Sequence, residues 1–377
     1  APIFSIERGR NDTKRAGMIM NTSFFMLIVC SGLLMCIGFL FARPILTTFG
    51  ASDNALIYAY PYIMIYLIGT FPSMIATGMN PFINAQGYAT TGMISVIIGA
   101  IANIILDPLF IFVFHLGIRG AAIATVLSQC LSAGFVFYFL SKKAEYKIRL
   151  LRKEEIKNCG NDAKNIVSLG TAGFVMQLTN SLVTICCNNV LAATGGDVYV
   201  SVMTIISSVR QIIETPIWSI SEGSSPIISY NYGAENYSRV KQTLKYTIIG
   251  ASILSCFGFL IIQLFPSMII SIFNQEPEII ELGNTALRIW FLCLPFVGCQ
   301  TMCANFFQAI GMVKQSSFLN LLRQCLLLIP LILILSWIFG LYGVFVAVPI
   351  ADFIAFVITI YLIRRRMKMW SVDKKRV

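Results

Sequence analysis

Long uninterrupted apolar runs constrain this chain more than any other feature of its sequence. Met18–Ala42, Ile94–Phe114, Leu244–Phe265 and Phe318–Phe339 each approach or exceed the roughly 20 residues that a helix needs to cross a lipid bilayer. Charged residues make up only 12% of the 377 positions, about half of their share in a soluble domain. In lipid the backbone must satisfy its own hydrogen bonds, which a helix does within one segment. We therefore predict an all-α integral membrane protein.

Ten segments of the chain have the length and the apolar character of a membrane span. The predicted spans are residues 18–42, 55–79, 91–114, 121–141, 165–193, 200–226, 244–268, 282–307, 316–338 and 343–363.

The distribution of charge predicts the orientation in the membrane. When the connections are numbered alternately inside and outside, with residues 5–17 inside, 23 of the 28 Lys and Arg residues lie inside. The outside connections hold only Arg43 and Arg119, as the positive-inside rule requires. We expect the basic tail at Arg364–Arg366 to contact anionic lipid headgroups. The net charge of +11 is thereby explained without nucleic-acid binding.

An internal repeat runs through the chain at an offset of 224 residues, or 223 near the end of the first copy. One register held through four helices indicates a duplication. The aligned pairs include Gly9 with Gly233, Arg15 with Arg239, Asn84–Gly87 with Gln308–Gly311, Gly117 with Gly340, and Gly120 with Gly343.

The repeat predicts the domain organisation. Residues 1–141 form an N-lobe of four spans, 142–164 a cytoplasmic basic linker, 165–363 a C-lobe of six spans, and 364–377 a cytoplasmic basic tail. Six spans per copy makes the repeats parallel, with substrate expected between them. We expect that the first copy lacks its first two helices, and a native ten-helix protein is the alternative. The charge pattern of the linker predicts a solvated, partly helical connector.

Asp107 lies within a predicted span, where a carboxylate is costly and usually marks an ion or proton pathway. Asn103 is one helical turn earlier on the same face and can offer a neutral oxygen to a hard cation. Pro108 is expected to bend the helix beside them. The alternative is a structural Asp107 that is bonded to a neighbouring helix.

A polar stripe follows one face of the predicted span 165–193. Lipid could not satisfy these groups, so we expect them to line a wet cavity or to bond other helices. The stripe consists of Gln177, Asn180, Ser181, Thr184 and Asn188.

Two pairs of opposite charges lie within other predicted spans. Arg210 and Glu214 are four residues apart and can form an intrahelical ion pair, although Glu214 could also meet cationic substrates. Asp352 in the last span has Arg323 in the span before it as a partner. We favour a structural pair there over a second ion site.

The sequence contains no catalytic arrangement. It has no phosphate-binding loop for ATP and no GxSxG or HExxH motif. The eleven cysteines lie mostly inside spans and the single histidine stands apart from them, so neither a disulfide framework nor a metal centre is expected. We predict that the protein is not an enzyme and uses no cofactor beyond a coupling ion.

Four stretches resemble the multidrug and toxic compound extrusion (MATE) transporters. The segment Ile227–Asn236, followed by Arg239-Val240-Lys241, resembles the cytoplasmic signature of that family. The other three stretches are Asn189-Val190-Leu191 leading to Gly195-Gly196-Asp197, Asn103–Ile111 with Asp107-Pro108, and Phe307–Gly311. They fall in the order and spacing of the bacterial branch.

The resemblance implies two six-helix lobes and export of amphipathic cationic drugs in exchange for H⁺ or Na⁺ by alternating access. It implies a site for H⁺ or Na⁺ at Asn103, Asp107 and Thr125, and Na⁺ at Asp107 would be the one metal ion if Na⁺ is the coupling ion. The family's acid on the first helix has no counterpart here, and 165–193 and 282–307 contain no Asp or Glu. We expect a substrate cavity that includes Gln177, Asn180, Thr184, Arg210 and Glu214.

The implied setting is a monomer in the bacterial inner membrane, in contact with lipids and small-molecule substrates. A lipid-linked oligosaccharide flippase or polysaccharide exporter is the alternative within transport. Such a protein tends to line its cavity with several Arg and Lys residues, whereas only Arg210, Arg288 and Arg323 lie within the predicted spans here. A membrane receptor or scaffold would not need a buried Asn103–Asp107 pair.

Overall fold

The computed structural model describes residues 1–48 and 53–373 of the protein. Within those residues the chain forms α-helices joined by short connections, and no strand. The helices are α1 Pro2–Gly9, α2 Thr13–Thr48, α3 Asp53–Ile68, α4 Thr70–Ala85, α5 Ala89–Pro108, α6 Gly117–Tyr138, α7 Lys153–Asn158, α8 Gly160–Gly233, α9 Tyr237–Leu264, α10 Pro266–Phe273, α11 Pro277–Trp290, α12 Leu294–Ala309, α13 Val313–Leu321, α14 Ile329–Phe339 and α15 Leu341–Asp373. Wider π-helical turns occupy Leu109–Val113, Phe139–Lys143 and Leu322–Leu328.

The local sequence sets several helix starts. Pro266 and Pro277 begin α10 and α11, where the missing proline N–H costs nothing because the first helical N–H groups lack partners anyway. The Asn236 side chain caps α9 by accepting a hydrogen bond from the backbone N–H of Arg239. These starts divide the apolar sequence into separate helices.

The surfaces of the long helices are apolar. Trp337 is 88% exposed, Leu40 75% and Ile104 71%. So many exposed large apolar side chains would be unfavourable in water but are favourable in contact with lipid. In the described residues seven helices are long and apolar enough to cross a membrane, or nine if each of two bent helix pairs counts as one span. The protein is an all-α multi-pass membrane protein, which confirms the predicted fold class.

Helix α8 folds back on itself. In one straight helix, residues 30 positions apart would be separated by about 45 Å. Arg210 Nη2 nevertheless lies 3.5 Å from Asn180 Oδ1, and Val183 packs in one core with Met203. Two antiparallel segments therefore occupy the predicted spans 165–193 and 200–226. The second segment is helical, but because of its polar residues it is not among the helices that are apolar enough to count as membrane spans.

Two predicted single spans are bent pairs of helices. Residues 55–79 fall in α3 and α4, which meet at 49°, and residues 282–307 fall in α11 and α12, which meet at 48°. The breaks lie at Gly69 and Cys293, which are 224 residues apart and therefore equivalent in the repeat. A shared bend at equivalent positions supports the duplication.

Backbone conformation repeats in the same register. Among the described residues, six of the seven with positive φ form pairs at the offsets of 224 or 223 residues, and His115 (53°) has no counterpart. The pairs are Asn11 (62°) with Glu235 (57°), Gly87 (93°) with Gly311 (77°), and Gly117 (54°) with Gly340 (59°).

The packing repeats as well. One buried cluster in each copy is built from residues at equivalent positions. These pairs are Phe4 with Ile228, Ala16 with Val240, Met20 with Leu244, Met79 with Cys303, Phe82 with Phe306, Ile83 with Phe307, and Ala85 with Ala309.

The chain divides into two compact units, of which the first extends to Ile166 and the second begins at Val167. The linker was predicted to be solvated. In its first part the charged side chains from Lys142 to Arg149 are exposed, as predicted, but the backbone is hydrogen-bonded to side chains of the first unit. The Gln86 side chain accepts a hydrogen bond from Tyr146 N at 2.8 Å and donates to Tyr146 O at 3.4 Å. Asn21 Oδ1 accepts from Arg149 N at 3.0 Å. These side chains hold the linker backbone against the first unit, and Ile148 is buried there.

The remainder of the linker agrees better with the prediction. It is helical at α7, and the Arg149 guanidinium donates to both oxygens of Glu155, at 2.8 and 2.6 Å. These hydrogen bonds, with another from the Arg152 backbone N–H, lower the pKa of Glu155 to about 2. Of the predicted tail, residues 374–377 lie outside the described part.

Candidate functional site

A cavity of about 460 Å³ lies within the second unit. Its wall is formed by both segments of α8, the C-terminal residue Trp290 of α11, α12, α13 and the π-helical turn at Leu322–Leu328. The structure places all five residues of the predicted substrate cavity on this wall, namely Gln177, Asn180, Thr184, Arg210 and Glu214.

Asn180 is the centre of the polar contacts in the cavity. Its Oδ1 accepts a hydrogen bond from Gln324 Nε2 at 2.7 Å and a longer one from Arg210 Nη2 at 3.5 Å. Its backbone carbonyl accepts from the Thr184 hydroxyl at 3.0 Å. The side chain therefore joins the first segment of α8 to the second segment and to the π-helical turn.

One member of the predicted stripe, Ser181, does not line the cavity, and another, Asn188, cannot be placed. The Ser181 hydroxyl donates to the Gln177 carbonyl at 3.2 Å and does not line the cavity. The Asn188 side chain lies outside the described residues. The stripe therefore lines the cavity over two helical turns.

The two predicted ion pairs differ in geometry. Arg323 Nε lies 2.6 Å from Asp352 Oδ1, and the Asp352 side chain is only 6% exposed. Arg210 Nε lies 3.3 Å from Glu214 Oε2, with side-chain exposures of 30% and 19%. The Arg323–Asp352 pair is a tight buried link between helices, whereas Arg210 and Glu214 form a looser pair on the cavity wall.

Three further polar atoms on the wall were not singled out from the sequence. Gln300 Oε1, Ser316 Oγ and Gln324 Oε1 are buried and have no hydrogen-bond partner among the described residues. A sequence signal for part of this set exists in the span 282–307. There the polar residues Gln300, Thr301, Asn305 and Gln308 recur at helical spacing, and all four line the cavity.

The residues of the predicted ion site lie in the first unit. Asn103 and Asp107 are on α5, and Thr125 is on α6, which packs against α5. Asn103 Nδ2 and Asp107 Oδ1 are buried and have no hydrogen-bond partner within the described part of the chain. The Thr125 hydroxyl donates to Ala121 O in its own helix at 2.9 Å, which leaves its lone pairs able to accept or to bind a cation.

A carboxylate oxygen without a hydrogen-bond partner in an apolar helix can do one of two things. It can take up a proton, or it can bind a cation with neighbouring neutral oxygens. The alternative was a structural Asp107 that is hydrogen-bonded to another helix. Asp107 Oδ1 makes no such hydrogen bond in the described residues. The helix changes at this point, since α5 ends at Pro108 and continues as a π-helical turn, a feature frequent at functional sites.

Comparison with known proteins gives a consistent result. The family model described as MatE matches residues 1–109 and 173–334. The multidrug export protein MepA of Staphylococcus haemolyticus is 25% identical over 366 residues, which cover 97% of this chain and 80% of that protein.

Solved structures are similar over nearly the whole chain. The MATE multidrug transporter DinF-BH, solved as a ligand complex, is 33% identical with a TM-score of 0.88, over 97% of this chain and 81% of that one. An outward-facing MATE family transporter of the MOP superfamily has a TM-score of 0.89, over 98% of this chain and 83% of the other. At 22% identity, the second likeness concerns the fold alone.

Proposed function

The chain belongs to the MatE family, and from this premise we propose that it is a multidrug efflux antiporter. It exports amphipathic cationic drugs or dyes in exchange for H⁺ or Na⁺ by alternating access. Asp107 carries the coupling ion, with Asn103 and Thr125 as its neighbours, and the polar cavity of the second unit contacts substrate.

The observation that carries this proposal is Asp107 Oδ1, a buried carboxylate oxygen with no hydrogen-bond partner in the described residues. A buried acid in a membrane span is destabilising, and in such a position it usually serves an ion or proton pathway. Oδ1 of Asp107 and Nδ2 of Asn103 lack protein partners in the described residues, as expected of groups that bind and release an ion. The resemblance to MepA, a multidrug export protein, supports drug export as the process to which the ion is coupled.

The flippase alternative finds little support in the cavity. A pyrophosphate-bearing lipid would favour a wall with excess positive charge. The two arginines on the wall each have a carboxylate within 3.3 Å or less, Glu214 for Arg210 and Asp352 for Arg323. The positive charge of the wall is therefore largely neutralised by the protein itself.

The proposed localisation is the bacterial inner membrane, with the linker and the C-terminus in the cytoplasm. The concentration of Lys and Arg in the connections that we place inside supports this orientation.

The proposal is tested by dye accumulation in a drug-sensitive bacterial host. Cells that express the protein from its complete gene should accumulate less ethidium than control cells, and Asp107→Asn should abolish the difference because a neutral amide cannot exchange a proton or balance a cation. Glu281→Gln is the matched control, since Glu281 is an exposed acid of α11. Normal efflux by the Asp107→Asn protein would refute the ion site. If the wild type affects no cationic dye, the flippase becomes the better hypothesis.

A further inference from the structure

We propose that the linker docks on an anionic lipid leaflet, where its lysines bind headgroup phosphates and Leu150 enters the boundary between headgroups and acyl chains. The docking surface, the linker face, consists of Lys142, Lys143, Lys147, Leu150, Lys153 and Ile156. It lies wholly within the first unit, and it does not depend on the proposed export function.

The backbone of the linker is held at the depth where two membrane helices end. Ile148 N donates to Leu140 O at 3.0 Å, and Arg149 N donates to Asn21 Oδ1 at 3.0 Å. Leu140 and Asn21 each lie within three residues of the end of a predicted span, on the same side of the membrane. The linker therefore turns back along the membrane surface at the level of the headgroups before it reaches α7.

Apolar side chains are exposed directly beside these anchored residues. Leu150 follows Arg149 in the chain and is 65% exposed, whereas the next residue, Leu151, is buried. Ile156 on α7 is exposed as well. A large apolar side chain at headgroup depth is stabilised when it enters the boundary with the acyl chains. The exposure of Leu150 is thereby explained by contact with lipid.

The linker carries positive charge that its own acids do not neutralise. Glu145 accepts a hydrogen bond from Arg8 at 2.8 Å, and Glu155 is paired with Arg149. In the described part of the chain four exposed lysines of the linker form no salt bridge, namely Lys142, Lys143, Lys147 and Lys153. Each basic side chain near an anionic leaflet strengthens binding roughly fivefold. These lysines therefore match a surface of lipid phosphates.

Lys143 joins the linker face to the lipid-exposed surface of α6. Its Nζ lies 5.8 Å from the ring centroid of Tyr138, and Tyr138 and Phe137 are both exposed at the end of that helix. Tyrosine is enriched where a span meets the headgroups. The charge of the lysines alone would also attract an acidic protein, but the depth of the linker and the exposed Leu150 favour lipid.

The test measures how closely position 150 approaches lipid. The protein, expressed from its complete gene, is placed in nanodiscs whose lipids carry bromine near the headgroup end of the acyl chain, since bromine quenches tryptophan fluorescence on contact. Leu150→Trp supplies the probe, and the signal of the four native tryptophans is subtracted with the wild type. Quenching should be at least about twofold stronger in brominated phosphatidylglycerol than in brominated phosphatidylcholine, which has no net charge.

Removal of the lysine charges should abolish this preference. Lys142→Gln, Lys143→Gln and Lys147→Gln, combined with Leu150→Trp, should lower the quenching in phosphatidylglycerol to its value in phosphatidylcholine. High salt should have the same effect, because it screens the attraction. Quenching in phosphatidylcholine should not change, which shows that the fold is retained. Arg119→Gln is the matched control, since Arg119 is an exposed arginine at the opposite ends of the spans, and it should change neither value.

Three outcomes would overturn the inference. Absence of quenching at position 150 in both lipids would show that the linker does not touch the leaflet, and protection of the linker from protease in that case would point to a protein partner. Equal quenching in both lipids would remove the role of headgroup charge. A preference for phosphatidylglycerol that persists in the triple lysine variant would contradict the assigned lysines. None of these outcomes affects the dependence of ethidium efflux on Asp107, so the proposed function is tested separately.

Discussion

The Arg323–Asp352 pair allows a quantitative test of how this fold holds charges inside a membrane helix bundle. The two atoms Arg323 Nε and Asp352 Oδ1 are 2.6 Å apart, and the side chains are 21% and 6% exposed. Removing one partner of such a pair leaves an uncompensated buried charge, which costs about 3–5 kcal/mol. We therefore expect Asp352→Leu and Arg323→Met each to lower the free energy of unfolding by about this amount.

Replacing both residues at once should have a much smaller effect. A buried ion pair exchanged for apolar side chains of similar volume is often neutral or even stabilising. The double variant Arg323→Met with Asp352→Leu should therefore be within about 1–2 kcal/mol of the wild type, far from the sum of the two single losses. The gap between that sum and the double variant measures the interaction of the pair.

The assay is equilibrium unfolding in mixed detergent micelles, followed by tryptophan fluorescence. Glu281→Gln serves as the control for loss of an exposed charge and should change stability by no more than about 0.5 kcal/mol. The reasoning is refuted if the double variant loses as much as the two single variants together, or if either single variant loses less than about 1 kcal/mol.

Two further predictions concern the helix packing and the linker. Gly120→Ala and Gly343→Ala should each destabilise the protein by about 1–3 kcal/mol or more, because the added Cβ would clash with the backbone carbonyl of Phe110 in the π-helical turn or of Leu335 in α14. Gly134→Ala is the control, because a Cβ there meets open space, and it should be neutral or stabilising in the same unfolding assay. The pKa of Glu155 is lowered in the folded protein, so its contribution is complete above its ordinary pKa of 4.5 and is lost as the pH falls towards 2. Glu155→Gln should reproduce this loss at neutral pH and speed tryptic cleavage of the linker, and unchanged cleavage would contradict the role of its contact with Arg149.

The sequence predicted the position of most helices because the membrane imposes a strong and local rule. Apolar runs of span length must be helical, and basic connections must stay inside. The bends at Gly69 and Cys293 did not follow from that rule, since the apolar character continues across both breaks. Pro72 and Pro295 lie two or three residues beyond the breaks and are the local signal that a new helix begins there.

The contacts of the linker and of the cavity were less predictable, because they join residues far apart in the chain. Gln86 holds Tyr146 across 60 positions, and Gln324 reaches Asn180 across 144. Nothing in the local pattern of the linker distinguishes a docked segment of backbone from a solvated one. The cavity stripe was visible at Gln177, Asn180 and Thr184 because polar residues at helical spacing cannot face lipid.

Ion movement coupled to drug movement is the most direct test of the proposed mechanism. The protein, expressed from its complete gene, is reconstituted into vesicles that contain a pH-sensitive dye or radioactive sodium, and ethidium is added outside. We predict that ethidium entry drives H⁺ or Na⁺ out of the vesicles, that Asp107→Asn abolishes this exchange, and that Glu281→Gln leaves it unchanged. Ethidium transport without movement of either ion, or coupled exchange that persists in Asp107→Asn, would contradict the account.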